Sequence, residues 1–317
     1  MSGQDARIVA LGGGHGLAAS LRALRHVSDN LTAVVTVADD GGSSGRLRDE
    51  FGVLPPGDLR MALSALCEDT DWGHTWRDVL QHRFAGDGPL AGHALGNLLI
   101  LALWELHPDP VAGLDLVARL LHARGRVVPM ASVPLDISAS VSELDPSEPD
   151  TRTTLTGQAR IATTPGRVHD IWLTPPHPPA CPAALTAIEH ADAVVLGPGS
   201  WFTSVLPHLL VPELRQALAR TTARRVLTLN VMIDQGESRG LRAEGHLVQI
   251  HRIAPELRFD AVLADPSIIE DVEPVRAAAE TLGAELVVLP VARMGAKGQH
   301  DTLRLAAAYA DIMGRPR

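Results

Sequence analysis

Lysine is nearly missing from this sequence of 317 residues: Lys297 is the only one, and all other basic side chains are arginines. A phosphate-binding loop of the form G-x-x-x-x-G-K-[ST] is therefore absent, and a Schiff-base lysine could only be Lys297. Cysteine is scarce as well. Cys67 and Cys181 are too few for a disulfide framework, and we expect both to be buried thiols. Aromatic residues make up only 3% of the chain, so the core must consist mainly of Leu, Val, Ile and Ala.

Long hydrophobic runs and an excess of positive charge are also lacking. The first residues lead directly into a short apolar stretch at residues 8–11, which does not have the form of a signal peptide. The longest apolar helix candidate, residues 98–106, has about half the length of a membrane span. The net charge of −9 disfavours broad nucleic-acid binding, which requires a basic face. We therefore expect a cytoplasmic protein that binds neither a membrane nor nucleic acid.

Short apolar runs of strand length alternate with helical patterns in the first and last parts of the chain. Residues 7–11 and 31–37 are predicted strands, and residues 17–25 form a predicted helix between them. Such a βαβ unit is typical of a parallel sheet with right-handed crossovers. Beyond residue 190 the alternation resumes, with predicted elements at residues 193–196, 212–220, 225–229, 261–264, 275–282, 286–289 and 302–313.

Two stretches interrupt this alternation. A helical insertion at about residues 58–125 contains predicted helices at 58–66, 75–83, 94–106 and 110–124, and a strand at 127–130 follows it. Residues 133–173 are rich in Thr, Ser and β-branched residues and favour a small β-meander, after which residues 174–179 form a proline-rich connector. We therefore predict one α/β domain over residues 1–317. It is a Rossmann-like, doubly wound, mainly parallel sheet with a helical insertion and a small β-meander.

Ligands of doubly wound folds bind beyond the carboxyl ends of the strands, so the loops after the predicted strands form the candidate site. The loop after the first strand consists of Gly12, Gly13, Gly14, His15 and Gly16. Glycines let the backbone turn tightly and approach a pyrophosphate, which the next helix N-terminus stabilises. A tight turn without a ligand is the alternative, because the G-x-G-x-x-A match of Gly14, Gly16 and Ala19 is weak alone.

The loop after the second predicted strand combines two carboxylates, flexible glycines, two hydroxyls and an arginine. Its candidate ligand-binding residues are Asp39, Gly41, Gly42, Ser43, Ser44 and Arg46, and its candidate metal ligand is Asp40. Magnesium favours one or two carboxylates together with phosphate oxygens, so this composition suits a metal and a phosphate side by side. A solvated turn is the alternative, since Asp, Gly and Ser are all turn formers.

Two motifs precede helices of the insertion. In Pro-Pro-Gly-Asp-Leu-Arg, Asp58 looks like a helix N-cap and is either a cap or a second metal ligand, while Arg60 projects from the first turn. In Gly-His-Ala-Leu-Gly-Asn, His93 and Asn97 are candidate binding residues at the start of an apolar helix. A structural role is the alternative for His93.

Two more motifs lie in the second half of the chain. Gly197, Gly199 and Ser200 repeat the arrangement of strand, glycine turn and helix, which is an anion site by its geometry. Asn230 closes a later strand, so we expect its amide to face the same cleft.

The motifs GGGHG, DDGGSSGRLR, PPGDLR, GHALGN, GPGS and NVM, in this order, resemble the CofD/YvcK family over roughly residues 7–310. The resemblance implies a Rossmann-like domain with a helical insertion. One branch of the family transfers a phospholactyl group from a nucleotide-activated donor to a deazaflavin precursor. The other, the YvcK or gluconeogenesis-factor branch, binds UDP-sugars such as UDP-N-acetylglucosamine and supports cell shape and cell-wall metabolism during gluconeogenic growth.

The intact glycine and Asp-Asp motifs favour the YvcK branch, as does the segment His300-Asp301-Thr302. Gln299 stands where an arginine often precedes this His-Asp pair in the family, which weakens the case for a phosphate contact there. We therefore expect a UDP-sugar-binding regulator.

A magnesium-dependent 2-phospho-L-lactate transferase resembling CofD is the alternative. In it, Asp40 and Asp58 would hold Mg²⁺ and Arg46 or Arg60 would clamp phosphate. NAD is not expected, because the loop after the second strand is crowded where a ribose pocket needs one acid. Turnover and homo-oligomerisation stay open.

Overall fold

The computed structural model describes residues 5–233 and 235–315 and contains two β-sheets. In chain order the strands are Arg7–Gly12 (β1), Asn30–Val35 (β2), Arg126–Pro129 (β3), Asp136–Ser142 (β4), Thr153–Thr156 (β5), Arg167–Thr174 (β6), Ala193–Leu196 (β7), Arg224–Thr228 (β8), Ala261–Ala264 (β9) and Glu285–Val288 (β10). Seven of them form the central sheet, in the order β10-β9-β8-β7-β1-β2-β3, and all its pairs are parallel.

Helices connect the strands and cover the sheet. They are Gly14–Leu24 (α1), Gly42–Phe51 (α2), Pro56–Leu66 (α3), Asp71–Gln81 (α4), Leu95–Leu106 (α5), Pro110–Leu120 (α6), Gln158–Ala162 (α7), Pro182–Glu189 (α8), Pro207–Leu210 (α9), Pro212–Arg220 (α10), Ala243–Ile253 (α11), Val272–Thr281 (α12) and Thr302–Gly314 (α13). A π-helix covers Trp201–Val205, and short 3-10 turns cover Gly236–Ser238 and Pro266–Ile268.

The order of the strands reverses between β1 and β7. From β1 the chain winds towards β3 at one edge, and from β7 it winds towards β10 at the other. Right-handed crossovers in these two directions put the connecting helices on opposite faces of the sheet. This arrangement confirms the predicted doubly wound α/β fold, and it makes the carboxyl ends of β1 and β7 the natural ligand crevice.

The central strands are buried on both faces. Every residue of β7 and of β9 is buried, as their continuous apolar sequences predict for a covered parallel sheet. Cys67 and Cys181 are free, buried thiols, as expected. Among the described residues, the structure contains no helix that is both long and apolar enough to cross a membrane.

The second sheet is small and antiparallel, as expected for residues 133–173. Its strand order is β5-β4-β6, so β4 is the central strand, whereas in a simple meander β5 would be. Helix α7 lies between β5 and β6 in the chain. Through it the chain returns across the sheet, so that β6 pairs with the edge of β4 that β5 does not occupy.

Two sequence interpretations near the candidate site are wrong in detail. The segment 39–46 is a loop only as far as Gly41, because α2 begins at Gly42 and includes the two serines. Glycine and serine are poor helix formers, which hid this helix from propensity-based reasoning. Asp58 is not an N-cap: Pro55 occupies that position, Pro56 opens α3, and Asp58 lies within its first turn.

Candidate functional site

The two glycine turns after β1 and β7 pack directly against each other. A Cβ atom on Gly16 would overlap the backbone of Pro198 and Gly199, so only glycine allows this approach. Gly14 and Gly197 have φ angles of +54° and +77°, a region that favours glycine. The structure therefore brings together residues 12–16 and 197–200, which sequence reasoning had assigned to one crevice.

Asn230 joins this pair of turns. Its Nδ2 atom donates a hydrogen bond to the carbonyl oxygen of Gly199 at 2.7 Å. The amide thus holds the second glycine turn in place. As expected from the sequence, Asn230 lies at the carboxyl edge of the sheet, beyond β8.

The side chain of Asp58 reaches from α3 into the first glycine turn. A Cβ atom on Gly13 would lie 2.5 Å from Asp58 Oδ2, and the backbone N–H of Gly14 donates to the carboxylate. Oδ2 itself is buried and has no hydrogen-bond partner within residues 5–233 and 235–315. A buried carboxylate oxygen without a donor is costly, so this atom calls for an explanation by a ligand.

The pKa of Asp58 is raised to about 7, chiefly by burial and next by the negative charge of Asp39. The Gly14 N–H and the guanidinium of Arg60 pull the pKa in the opposite direction without compensating. Asp39 is close because the two carboxylates flank Gly57: a Cβ atom on Gly57 would lie 2.8 Å from Asp39 Oδ2. Two acids therefore converge beside the glycine turn.

The side chain of Asp40 faces the β-rich insertion and not Asp58. Its Oδ1 atom accepts a hydrogen bond from the backbone N–H of Ala159 at 2.9 Å, at the start of α7 in the β-rich insertion. The structure thus brings Asp39, and not Asp40, next to Asp58. Within the described parts of the chain, no group of three or more His, Cys, Asp or Glu side chains could hold a metal ion. A cation at Asp39 and Asp58 would need further oxygen ligands from a substrate or from water.

Three helices begin around this pair of acids. Helix α1 starts at Gly14, α2 at Gly42 and α3 at Pro56, and the Oγ atom of Ser44 lies against Gly57. The first N–H groups of a helix have no partner within the helix and favour a bound anion. The site thus combines anion-binding helix ends with carboxylates that favour a cation.

A buried network of hydrogen bonds connects the start of α2 to the start of α5 and to α3. Ser43 Oγ lies 3.0 Å from His93 Nδ1 and accepts a hydrogen bond from Asn97 Nδ2, also at 3.0 Å. Arg60 Nε donates to Asn97 Oδ1 at 2.9 Å, and its Nη1 donates to Gln81 Oε1. These predicted binding residues therefore bond to one another, and Gln81 is a member that sequence reasoning missed.

Burial is the main cause of the pKa shifts of His93 and Arg60 in this network. It lowers the pKa of His93, with the nearby Arg46 guanidinium adding to the effect, and it lowers the pKa of Arg60 to about 10. His93 is therefore neutral at pH 7, which suits an acceptor role for Nδ1 towards the Ser43 hydroxyl.

The remaining predicted residues lie at the rim. His15, Gly42 and Ser200 are exposed. Arg46 is also exposed, and its Nη2 donates to the carbonyl oxygen of Ala91 at 2.7 Å, away from Asp58. Arg46 and Arg60 are therefore both held by protein acceptors in this structure.

Sequence reasoning also missed the role of Glu237. This buried residue lies in the 3-10 turn beyond β8, and its Oε1 accepts a hydrogen bond from the N–H of Phe202 at 2.9 Å. The π-helix after the second glycine turn is thus capped by a carboxylate 35 residues away in sequence. Burial raises the pKa of Glu237 to about 7, although the N–H groups of residues 201–203 oppose the shift.

A cavity of about 480 Å³ opens next to the glycine turns, beyond β8 and β9. Its walls include Val231 and Met232, which directly follow Asn230, and also Arg242, Ser267 and Lys297. Its size lies within the range of about 300–1,000 Å³ that is common for small-molecule sites.

The fold and the paired glycine turns define a class of protein, the doubly wound α/β proteins with glycine turns at the switch point, and comparison with known proteins narrows this class. The family model described as 2-phospho-L-lactate transferase CofD matches residues 8–296. The chain belongs to the CofD family.

Similar proteins are gluconeogenesis factors. The chain is 50% identical over 311 residues to the "Putative gluconeogenesis factor" of Mycobacterium tuberculosis H37Rv, covering 97% of this chain and 90% of that protein. It is 32% identical to the "Gluconeogenesis factor" of Bacillus subtilis 168, covering 98% and 99%. A crystal structure of a UPF0052 family member from Bacillus halodurans matches with a TM-score of 0.84 and 33% identity over 96% of this chain and 98% of that one. The predicted family, its gluconeogenesis-factor branch and the predicted fold are confirmed.

Proposed function

We propose that this protein is a regulator of the gluconeogenesis-factor type that binds a UDP-sugar, such as UDP-N-acetylglucosamine, and supports cell-wall metabolism and cell shape during gluconeogenic growth. The observation that carries the proposal is the unpartnered Oδ2 of Asp58, which lies between a glycine turn and Asp39 where three helices begin. A diphosphate with a bound cation would satisfy both the helix ends and the carboxylates.

The residues at the switch point fit magnesium together with a diphosphate. Asp39 and Asp58 would hold the ion, and the N–H groups of residues 13–16 would approach the phosphate oxygens. The ion would supply charge neutralisation of the diphosphate. The nucleoside would then extend past Asn230 into the cavity of about 480 Å³, whose mixed polar and apolar walls suit a base and a ribose.

A regulator is favoured because, among the described residues, neither a lysine nor a thiolate offers a nucleophile at the switch point. The single lysine, Lys297, lines the cavity of about 480 Å³, and burial raises the pKa of Cys67 to about 11 and also raises that of Cys181. Both thiols therefore stay protonated at neutral pH, which makes them poor nucleophiles.

One observation favours the transferase as a second candidate. A carboxyl group with a pKa near 7 is suited to act as a general base, and Asp58 has such a pKa at the proposed diphosphate position. In a CofD-like transferase in which Asp58 is not a metal ligand, Asp58 would accept the proton of an acceptor hydroxyl. This candidate differs from the regulator in consuming its nucleotide ligand.

Binding and turnover can be tested together on the purified protein. UDP-N-acetylglucosamine at a hundredfold excess over its dissociation constant should stabilise the fold by about 2.7 kcal/mol, and NAD should not. Chromatography of the mixture after several hours with Mg²⁺ should recover intact UDP-sugar. Steady release of UDP or UMP would favour the transferase, and stabilisation by NAD alone would contradict both candidates.

Three variants identify the metal ligands. Asp39→Asn and Asp58→Asn should weaken UDP-sugar binding more in Mg²⁺ than in EDTA, whereas Asp40→Asn serves as a matched control because its carboxylate faces Ala159. If Asp40 holds the metal, as the sequence predicts, Asp40→Asn will show the largest Mg²⁺-dependent loss instead.

A further inference from the structure

A second, smaller cleft lies where the β-rich sheet meets the last third of the chain. It is formed by β6, by the segment around the 3-10 turn Gly236–Ser238 and by α11, and its volume is about 110 Å³. The polar side chains that line it are Arg167, His169, Glu237, Arg239, Gln249 and Arg252. The cleft shares Gly240 and Leu241 with the cavity of about 480 Å³, but none of its lining residues belongs to the glycine turns.

The cleft is basic in a protein of net charge −9, because its lining includes three arginines and one carboxyl group, and in the described part of the chain only Arg252 is paired with a further acid, Asp170. Arg252 is fixed by Asp170 at 2.8 Å and by acceptors on His169 and Gln249. Within the described residues, the Arg239 side chain forms one long hydrogen bond, 3.5 Å to the carbonyl oxygen of Pro165. The side chain of Arg167 has no hydrogen-bond or ion-pair partner among the residues that the structure describes.

Glu237 forms the buried end of the cleft. Its Oε1 caps the π-helix through Phe202, and the Thr203 hydroxyl lies close enough to lower the pKa of the carboxyl, but Oε2 is buried and forms no hydrogen bond of normal geometry in the described part of the chain. His169 cannot supply a charge, since burial and the nearby arginines lower its pKa, and its Nε2 is bonded to Ser142 Oγ at 2.7 Å. The cleft therefore offers unused N–H donors together with one unused acceptor oxygen.

We propose that this cleft binds a small phosphate oxyanion, with Arg167 and Arg239 donating to its oxygens and Glu237 Oε2 accepting a hydrogen bond from its P–O–H group. Arginine forks match the geometry of phosphate oxygens. The acceptor at Oε2 selects an oxyanion that carries a hydroxyl, which phosphate has at neutral pH and sulfate lacks. The volume of about 110 Å³ is sufficient for a phosphate group.

Calorimetric titration with inorganic phosphate at constant ionic strength tests the assignment. Arg167→Gln and Arg239→Gln should each weaken phosphate binding by about tenfold or more, since each removes charge-assisted hydrogen bonds. Arg276→Gln is the matched control, because Arg276 is an exposed arginine of α12 that pairs only with its neighbour Glu273. Unchanged phosphate affinity in both cleft variants would overturn the proposal.

Glu237 is tested by selectivity. Wild-type protein should bind phosphate at least about tenfold more tightly than sulfate, and Glu237→Gln should abolish this preference because an amide donor replaces the acceptor. The variant keeps an oxygen that can cap Phe202. Equal binding of the two anions by the wild type would contradict the role of Oε2. Titration with glycerol phosphate distinguishes a phosphomonoester ligand from free phosphate. Binding of glycerol phosphate would assign the cleft to phosphomonoesters, and its failure to bind would assign the cleft to free phosphate.

The cleft must also be distinguished from the diphosphate site. Phosphate binding should persist in saturating UDP-N-acetylglucosamine and in Asp58→Asn, and displacement by the UDP-sugar would place the phosphate in the proposed nucleotide site instead. If the UDP-sugar itself does not bind, the proposed function fails, and the arginine variants still decide the phosphate site.

Discussion

Asp58 and Glu237 are both buried carboxyl groups near the start of a helix at the carboxyl edge of the central sheet, and both have a pKa of about 7. Their surroundings differ. Glu237 faces the N–H groups of residues 201–203 and caps the π-helix, while Asp58 receives one N–H from Gly14 and lies beside a second acid, Asp39.

The difference lies in the neighbours of each acid: Glu237 caps helix N–H groups although its Oε2 is unpartnered, whereas Asp58 has few donors and a second acid beside it. A cap is stabilising because it satisfies helix N–H groups that otherwise lack partners. An acid with few donors beside another acid lowers the stability of the unliganded protein, and such a residue persists where a ligand makes use of it. Burial and pKa alone would have assigned the two groups the same role.

The largest expected effect is on the stability of Asp58→Asn. The pKa of Asp58 is about 7 in the folded protein, against an ordinary value of 3.8, so the folded state binds the proton more tightly between these two values. Between about pH 4 and pH 7 the unfolded state loses this proton and the folded state keeps it, so the free energy of unfolding falls as the pH rises through this window, and the full loss is present above pH 7. At pH 8 the variant should be more stable than wild type by on the order of 2–4 kcal/mol.

Urea denaturation at pH 8 and at pH 5 measures this effect, which should be smaller at the lower pH. Asp40→Asn is the control, because its carboxylate is only partly buried and bonded to Ala159. A destabilised Asp58→Asn at pH 8 would show that Asp58 is a structural acid, and the contrast with Glu237 would fail.

Two variants of Glu237 test whether its side chain stabilises the fold as a cap. Glu237→Ala removes the acceptor of the buried Phe202 N–H, whereas Glu237→Gln retains one. The alanine variant should be less stable than the glutamine variant by about 1–3 kcal/mol, the cost of an unsatisfied buried donor. Equal thermal midpoints of the two variants would mean that the cap contributes nothing.

A smaller effect is expected from Asp39→Asn. The charge of Asp39 raises the folded-state pKa of Asp58, so its removal should lower the pH at which the decline in stability levels off and should make the total decline smaller. The denaturation profile between pH 5 and pH 8 reports this shift. An unmoved profile would indicate that burial alone sets the pKa of Asp58.

Much of the fold could be predicted because buried parallel strands are continuous apolar runs. Ala261–Ala264 was predicted with its observed bounds, and Ala193–Leu196 likewise. Helix α2 was missed because Gly42, Ser43 and Ser44 have low helix propensity, and tertiary contacts with α3 and α5 override it.

The site was predicted less completely because its details depend on side-chain direction. Adjacent carboxylates such as Asp39 and Asp40 point in different directions once Asp39 accepts the Gly41 N–H, and composition cannot tell which one faces Asp58. The cap formed by Glu237 joins residues 35 positions apart, a contact that only the fold creates.

Lys297 has a practical consequence for following the ligand. It is the only lysine of the chain, its side chain is exposed, and it lines the cavity of about 480 Å³. An amine-reactive label will therefore modify one side chain besides the N-terminus, at the mouth of that cavity. The rate of labelling then gives a chemical footprint of whether the cavity is occupied, read by mass spectrometry at a single peptide.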